Sequence, residues 1–247
     1  MPIALLSDVH ANLHALDAVL ADMTARGLNA RYHLGDLVGY SAFPNEVVAR
    51  LAAEGIPGVA GNYDTTVAHD YKHCGCRSEN PAQEALAHES FVWTLAHVTA
   101  ETRQRLAALP FRLDLKSLGG HTAGPTLALV HATPQNNLVY VTEDRSDDFL
   151  RKMAASAGLH AGDVIAFGHT HKPWSRVVDD ILYVNTGSVG RPKDGDPRAG
   201  YVVLSVGEGA PRVEFVRVPY DVDAACTALE TAGLPREFSA ALKTGLA

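Results

Sequence analysis

The first sixty residues alternate between short apolar runs and stretches in which apolar side chains recur at helical spacing. Residues 3–6 form a continuous apolar run that is typical of a buried strand, and apolar residues then follow a helical period across residues 13–23. A second strand is predicted at residues 32–34 and a third around Val59, with an intervening helix capped by Asn45. This β-α-β-α-β order favours a parallel sheet covered by helices.

The rest of the chain first loses this regularity and then becomes rich in short β patterns. Residues 65–80 are polar and without periodicity, which predicts a loop, and the motif Gly61-Asn62-Tyr63-Asp64 is placed at its start. Two helices are predicted over residues 82–108, the second beginning at Thr99. Further strands are predicted at 111–115, 127–130, 164–167, 176–178, 181–184, 201–206 and 213–218, and further helices at 147–157, 222–231 and 238–242. We expect two packed sheets with helices outside, in a single domain over residues 1–247.

Composition and charge narrow the class of protein. The chain has 247 residues, 47% of them apolar, and a formal charge of −7. No basic stretch is visible, so a stable nucleic-acid complex is not expected. No apolar run approaches a membrane span or a secretory signal, and the three cysteines cannot form a disulfide framework. We therefore expect a cytoplasmic protein without a membrane partner, whose oligomeric state the sequence does not predict.

Polar clusters follow the apolar runs, and their side chains are typical of metal ligands. Because ligands bind beyond the carboxyl ends of strands in open α/β sheets, these side chains can meet in one crevice. Carboxylate, amide and imidazole together suit divalent ions such as Mn, Fe or Zn. The set exceeds the needs of one ion, so two adjacent ions are predicted. The residues are Asp8, His10, Asp36, Asn62, His131, His169 and His171.

Two ions about 3.5–4 Å apart can clamp the attacking and the leaving oxygen of a phosphoryl transfer. One carboxylate must bridge two dications that lie so close, and Asp36 is the candidate. A water between the ions would lose a proton near neutral pH and become a bridging hydroxide nucleophile.

The order D-x-H, GD, GN, H, G-H-x-H resembles the signature of the calcineurin-like metallophosphoesterases. More narrowly, the stretches "SDVHANLHAL", "GDLVGY" and "GHTHKP" resemble small bacterial members related to the YfcE-type phosphodiesterases. The resemblance implies an α/β fold in which two mixed β-sheets pack as a sandwich flanked by helices. It also implies two metal sites that share Asp36. The first would be held by Asp8, His10, Asp36 and His171, and the second by Asp36, Asn62, His131 and His169.

Tyr63 occupies the position at which the wider family carries the histidine of G-N-H-[DE]. That histidine protonates the leaving oxygen or helps the transition state, and the acid after it orients it. A phenol titrates near pH 10 and is a poor proton donor at neutral pH. Tyr63 and Asp64, with Asn62, are the candidate catalytic residues. The alternative is that Tyr63 packs at the site rim and Asp64 caps a turn.

Three further features each have two interpretations. The segment of residues 185–201 has a functional and a structural interpretation. In the first, a turn at Gly187 and Ser188 lines the pocket, and Arg191 or Lys193 binds a substrate phosphate. In the second, the whole segment is a solvated connection. Cys74-Gly75-Cys76 with His73 offers too few ligands for a structural zinc site. An ordinary loop that overhangs the site is expected instead. Among the other histidines, His14 and His33 flank motifs and either support the ligands from behind or have no role in the site. The remaining ones are predicted to be solvated or to cap helices: His69, His73, His88, His97, His121 and His160.

The combined prediction is a dinuclear, metal-dependent phosphoesterase that hydrolyses phosphodiesters of small phosphorylated molecules such as nucleotides. A phosphomonoesterase or protein phosphatase is the alternative among enzymes. A non-catalytic interaction module on the same fold is the alternative from another class. Members of the family with that role have lost ligands, and none of the expected ligands is missing here.

Overall fold

A computed structural model describes residues 2–76, 80–116, 124–206 and 210–246 of the chain. Nine strands and eight helices are present within these ranges. The strands are β1 (Pro2–Leu6), β2 (Ala30–His33), β3 (Arg112–Leu115), β4 (Leu127–Val130), β5 (Val164–Phe167), β6 (Trp174–Val178), β7 (Ile181–Asn185), β8 (Ala199–Ser205) and β9 (Arg212–Val218). The helices are α1 (Leu13–Ala25), α2 (Pro44–Ala53), α3 (Asn62–Ala68), α4 (Pro81–His97), α5 (Ala100–Ala107), α6 (Asp147–Ala157), α7 (Val222–Thr231) and α8 (Arg236–Thr244).

The strands form two mixed sheets. The first has the order β2-β1-β8-β9, in which β1 pairs parallel to β2 and antiparallel to β8. The second has the order β3-β4-β5-β7-β6, with a parallel centre of β4, β5 and β7 and antiparallel edges. The predicted fold class, two mixed sheets with flanking helices, is confirmed.

The sheets face each other across a shared apolar core. Ile3 and Leu5 of β1 pack with Leu127 and Leu129 of β4 and with Val164 of β5, all of them buried. The alternate residues of β1, Ala4 and Leu6, face the other way and join the helices in a second cluster. This alternation is the period of two of a strand, and it explains why a strand covered on both faces is apolar throughout.

Two local predictions are wrong. The third parallel strand around Val59 is reduced to an isolated bridge between His33 and Gly58, because Pro57 has no N–H to donate to a ladder. Asn45 does not cap α2, which begins at Pro44 after Phe43. The Asn45 side chain instead donates to the carbonyl of His97 and accepts from the backbone N–H of Thr99, so it ties α2 to the α4–α5 connection. The single-domain prediction stays a prediction.

No helix among the described residues is long and apolar enough to cross a membrane.

Candidate metal centre

The candidate ligands converge because several loops leave their strands at one end of the sandwich. Asp8 and His10 follow β1, Asp36 follows β2, His131 follows β4, and His169 and His171 follow β5. Asn62 is the first residue of α3, so the GNYD motif begins a helix and does not lie on the predicted loop. All seven ligand candidates are buried, with exposed fractions of 5% or less.

Asp8, His10 and His171 form the first triad. The Nε2 atoms of the two imidazoles are 3.1 Å apart, and Asp8 Oδ1 lies 3.2 Å from Nε2 of His171. Asp8 Oδ1 is buried and accepts no hydrogen bond, while Oδ2 accepts from the Ser7 hydroxyl and from the backbone N–H of His169. A buried carboxylate oxygen without a donor is costly, and a cation at the triad would remove that cost.

Asp36, His131 and His169 form the second triad, which Asn62 completes. Nε2 of His131 lies 3.1 Å from Asn62 Oδ1 and 3.2 Å from Nδ1 of His169. The Asn62 amide is oriented by its Nδ2, which donates to the carbonyl of Cys74 at 3.0 Å. Metal–nitrogen bonds of about 2.1 Å place neighbouring ligand atoms about 3.0 to 3.4 Å apart, so the observed spacings fit a divalent ion.

Asp36 belongs to the second triad and also faces the first. Its Oδ2 is 3.5 Å from Nε2 of His131 and 3.8 Å from Nε2 of His10. The Oδ1 atom accepts from the backbone N–H of Tyr63 at 2.9 Å, which fixes the carboxylate plane. The position supports the predicted bridging role of Asp36.

The imidazole rings are oriented by backbone carbonyls. Nδ1 of His10 lies 3.1 Å from the carbonyl oxygen of Val38, Nδ1 of His131 lies 2.8 Å from that of Leu34, and Nδ1 of His171 lies 2.6 Å from that of Arg191. A proton on Nδ1 donates to the carbonyl and leaves the Nε2 lone pair for an ion. His169 is reversed, because its Nδ1 faces the triad and its buried Nε2 has no partner.

The charges of the site favour neutral imidazoles at most positions. Burial, and then the neighbouring histidine, lower the pKa of His10 and of His169 to about 3. Burial and the charges of Lys193 and Arg191 lower the pKa of His171 well below its usual value. Burial tends to lower the pKa of His131, but Asp36 has the larger effect and raises this pKa to about 9. Burial also opposes the charge of Asp36, yet His131 holds its pKa below the usual range. Without a metal ion, these shifts favour an ion pair between His131 and Asp36, whose Nε2 and Oδ2 atoms are 3.5 Å apart.

Five of the seven candidate ligands have left-handed backbone conformations. The φ angles are 53° at Asp8, 48° at His10, 52° at Asp36, 66° at His169 and 61° at His171. Non-glycine residues adopt this region rarely, at a cost of about 1–2 kcal/mol each. The chain turns back after each strand, so the two ligands of the D-x-H motif point at one triad, whereas His169 and His171 of the H-x-H motif each join a different one. Such strain is typical of functional sites.

Two glycines are required by the close approach of these loops. A Cβ atom on Gly61 would lie 2.0 Å from Asp36 Oδ1, and one on Gly168 would lie 2.4 Å from Asp8 Oδ2. The glycine before Asn62 and the glycine before His169 thus leave room for carboxylates from other strands. This is a physical reason for the G-N and G-H pairs of the motif.

Tyr63 is a packing residue in this structure. Its side chain is fully buried, and its hydroxyl lies 3.2 Å from both the Ala87 carbonyl oxygen and the Ser90 hydroxyl on α4. Its ring contacts Tyr40 and Phe91, and Tyr63 is not among the residues that line the cavity. Burial raises the pKa of Tyr63 well above 10. The geometry gives no support to a catalytic role and favours the packing alternative.

Asp64 links the loops and does not face the cavity. Its Oδ1 accepts from the backbone N–H of Leu37 at 2.8 Å, and its Oδ2 accepts from that of Gly61 at 2.9 Å. It thereby caps α3, as the alternative prediction had it, and ties the Asp36 loop to the Asn62 helix. Burial and the charge of Asp36 raise its pKa to about 7. Asp64 is a positioning residue here.

The sequence analysis missed two side chains that hold the site from behind. The Ser188 hydroxyl donates to the carbonyl of Asp8 at 2.7 Å and accepts from the backbone N–H of Arg191 at 2.8 Å. Asn185 donates from Nδ2 to the carbonyl of Gly168 and to the Thr170 hydroxyl, both at 2.9 Å. Ser188 was expected to line the pocket with Gly187, but neither belongs to the lining. The only signal in the sequence was the polar run "NTGS" after a strand pattern.

Five of the seven candidate ligands line a cavity of about 630 Å³: His10, Asp36, Asn62, His169 and His171. Arg191 and Lys193 line it, as predicted for one interpretation of their segment, and burial together with Arg191 lowers the pKa of Lys193 to about 7. His73 and His88, predicted to be solvated or capping, are exposed but also line this cavity.

The Cys74-Gly75-Cys76 turn overhangs the site as expected, and its two cysteines form a disulfide with each other. All three residues line the cavity. Within the described ranges, the groups of histidine, cysteine and carboxylate side chains that could hold a metal ion are the two triads, and the cysteine turn belongs to neither.

Comparison with known proteins agrees with this geometry. Residues 1–209 match the calcineurin-like phosphoesterase superfamily domain. An uncharacterised protein of Methanocaldococcus jannaschii is 32% identical over 237 residues, which cover 89% of this chain and 88% of that protein. The crystal structure of a metallophosphoesterase from Sphaerobacter thermophilus is 28% identical, covers both chains completely and superposes with a TM-score of 0.77. YfcE, a phosphoesterase from E. coli, shares the fold at 21% identity and a TM-score of 0.50, over 89% of this chain and all of that one.

The chain belongs to the calcineurin-like phosphoesterase superfamily, so the resemblance of its motifs is confirmed. It is a phosphoesterase of the metal-binding type, with two triads of side chains that could each hold a divalent ion.

Proposed function

We propose that this protein hydrolyses phosphodiesters of small molecules in a reaction that needs two divalent ions. The observation that carries the proposal is the position of Asp36, which lines the cavity, belongs to one buried triad and also faces His10 of the other. Two bound ions would supply Lewis acidity and an activated water. The cavity of about 630 Å³ has the size of a small-molecule site, which supports a substrate such as a nucleotide.

The residues of the site would have separate roles in binding the ions and the substrate. Asp8, His10 and His171 would hold one ion, and Asn62, His131 and His169 the other, with Asp36 between them. The carbonyl partners of the imidazoles keep the Nε2 atoms of His10, His131 and His171 directed at the ions. Arg191 and Lys193 would bind phosphate oxygens at the cavity wall.

The preference for diesters is supported by the position of Tyr63. A histidine at this position would supply a proton to the leaving oxygen, which typically contributes about 10²–10⁴-fold. The hydroxyl of Tyr63 is committed to α4, and burial raises its pKa further. Substrates with good or strained leaving groups need such a proton least, and activated or cyclic diesters are of this kind.

The test compares bis-p-nitrophenyl phosphate with p-nitrophenyl phosphate, with Mn²⁺, Zn²⁺, Co²⁺ or Mg²⁺ added to chelator-treated protein. We expect metal-dependent hydrolysis of the diester at a higher kcat/KM than the monoester. Asp36→Asn should abolish it. Asp17→Asn, which changes a surface carboxylate paired with Arg50, is the matched control and should behave like the wild type. Faster turnover of the monoester would point to a phosphatase, and no turnover with any ion would favour a non-catalytic module.

A further inference from the structure

The two triads face different walls of the cavity. On the side of the first triad, His171 Nδ1 is 2.6 Å from the carbonyl oxygen of Arg191, and the backbone N–H of Lys193 donates to the His171 carbonyl at 3.3 Å. Both cationic side chains line the cavity there. On the side of the second triad, the Tyr140 ring lies 4.3 Å from the His169 ring, centroid to centroid. The polarity of the cavity therefore changes from one metal position to the other.

The cationic wall has no acidic partner. Among the described residues, no carboxylate oxygen lies within 4.0 Å of the Arg191 guanidinium or the Lys193 ammonium, whereas most surface arginines do form such pairs. The Arg191 guanidinium carbon lies 4.0 Å from the centroid of the Tyr40 ring and 5.8 Å from that of Phe238, and its Nε is buried without a partner. Stacking fixes the plane of the guanidinium and leaves its edge for a planar or tetrahedral anion.

Part of the cationic wall lies outside the segment that matches the superfamily domain. Phe238 lies on α8, beyond residues 1–209 that match the superfamily domain. The end of the same helix is tied to the cationic loop, because the Gly195 N–H donates to the Gly245 carbonyl at 2.8 Å. The C-terminal helix thus contacts the cationic loop from outside the segment that matches the superfamily domain.

An apolar patch lies on the side of the second triad. Leu138 lines the cavity there with 42% of its surface exposed. It packs on Gly75, where an added Cβ atom would lie only 2.7 Å from Leu138 Cδ2. Tyr140 extends the same wall next to His169. An apolar or aromatic group placed here would cover Leu138 from water.

We propose that the cavity takes an unsymmetrical phosphodiester, with an anionic arm at Arg191 and Lys193 and an apolar or aromatic arm against Leu138 and Tyr140. This inference rests on the proposed function, because the metal centre must bind the phosphate between the two arms.

The experiment uses two diesters that share a p-nitrophenyl leaving group. One carries a 2-carboxyethyl arm and the other a 2-carbamoylethyl arm with the same number of heavy atoms, so the two arms differ chiefly in charge. With metal-loaded full-length protein at low ionic strength, we expect kcat/KM to favour the carboxyethyl ester by about tenfold. The net charge of −7 would oppose this preference, so it cannot come from the overall field.

Variants separate the two walls. Arg191→Gln and Lys193→Gln should bring the ratio of the two esters close to one, while Arg191→Lys, which keeps the charge, should retain part of it. Leu138→Ser should lower kcat/KM for both esters about threefold without changing their ratio. Lys152→Gln and Val177→Ser replace an exposed cation and an exposed apolar residue outside the cavity, and they serve as controls.

The outcomes distinguish the inference from the function on which it rests. The inference would be overturned if the wild type hydrolysed the two esters at equal rates. It would also be overturned if the ratio of their kcat/KM values stayed unchanged in Arg191→Gln and Lys193→Gln. Either result would leave the phosphodiesterase proposal intact. No hydrolysis of either ester with any ion would overturn both.

Discussion

Metal loading should stabilise the fold, and the size of this stabilisation should depend on Asp36. The ligand candidates are buried, and five of them have strained backbone conformations that an ion would hold in place. An ion that binds only the folded arrangement stabilises it by mass action. At a free concentration about 100 times its dissociation constant, each site adds about 2.7 kcal/mol. Two independent sites therefore add about 5 kcal/mol to the free energy of unfolding.

This free energy converts into a measurable shift of the melting temperature. For 247 residues, the entropy of unfolding near the midpoint is about 0.5 kcal/mol/K. The midpoint should therefore rise by about 10 °C when chelator-treated protein is loaded with Mn²⁺. Differential scanning calorimetry, with metal content determined on the same samples, measures both quantities.

Variants show whether the sites share Asp36. His171→Ala leaves the second triad intact, so the rise should fall to about 5 °C. Asp36→Asn removes the charge that serves both ions, so less than about 3 °C should remain. Asp17→Asn is a surface control and should keep the full rise. A rise in Asp36→Asn as large as in the wild type would refute the bridging assignment, and one ion per chain in the wild type would refute the two-site reasoning.

Three further predictions concern the residues around the ligands. Tyr63→Phe loses hydroxyl contacts with the Ala87 carbonyl and Ser90, so it should cost about 1 kcal/mol in urea unfolding and leave kcat nearly unchanged; a loss above about 100-fold with metal content intact would instead make Tyr63 the acid. Ser188→Ala leaves the Arg191 N–H without its acceptor, so it should cost about 1–3 kcal/mol and weaken metal binding, whereas the exposed Ser156→Ala should do neither. In metal-free protein the raised pKa of His131 makes its pairing with Asp36 fully stabilising below pH 6.5, and this stabilisation is lost as the pH rises through about 9. Metal affinity should rise over the same pH interval, because the ion competes with the His131 proton. Unfolding measured at several pH values, with chelator or with Mn²⁺, would show whether metal-free stability falls while metal affinity rises.

Much of the fold could be predicted because its strands are buried on both faces. Runs such as those of β4 and β5 are apolar throughout, and their bounds match the prediction. One of the two failures lies where a long-range contact decides the local structure. Asn45 has the chemistry of a helix cap, but its side chain bonds to the backbone of residues 97 and 99. No local pattern encodes that contact.

The candidate ligands could be predicted because each follows an apolar run and has the chemistry of a metal ligand. The side chains that hold them could not. Ser188 bonds to Asp8 across 180 positions of the chain, and a serine in a polar loop has many ordinary explanations. The direction of the Tyr63 hydroxyl likewise depends on where α4 packs, which the sequence of α3 does not contain.

The left-handed ligands and the loop-to-loop hydrogen bonds have a common cause. A strand that ends in a D-x-H or H-x-H motif must reverse sharply to direct both side chains into the metal centre, to one triad for Asp8 and His10 and to two for His169 and His171. An isolated loop would relax out of that conformation. Here each reversal is held by a neighbour. The backbone N–H of Asp8 donates to the Gly35 carbonyl, Asp64 accepts from the Asp36 loop, and Ser188 donates to Asp8. The ligand geometry is thus a property of the whole set of loops, so substitution of one backing residue should weaken ion binding in both triads.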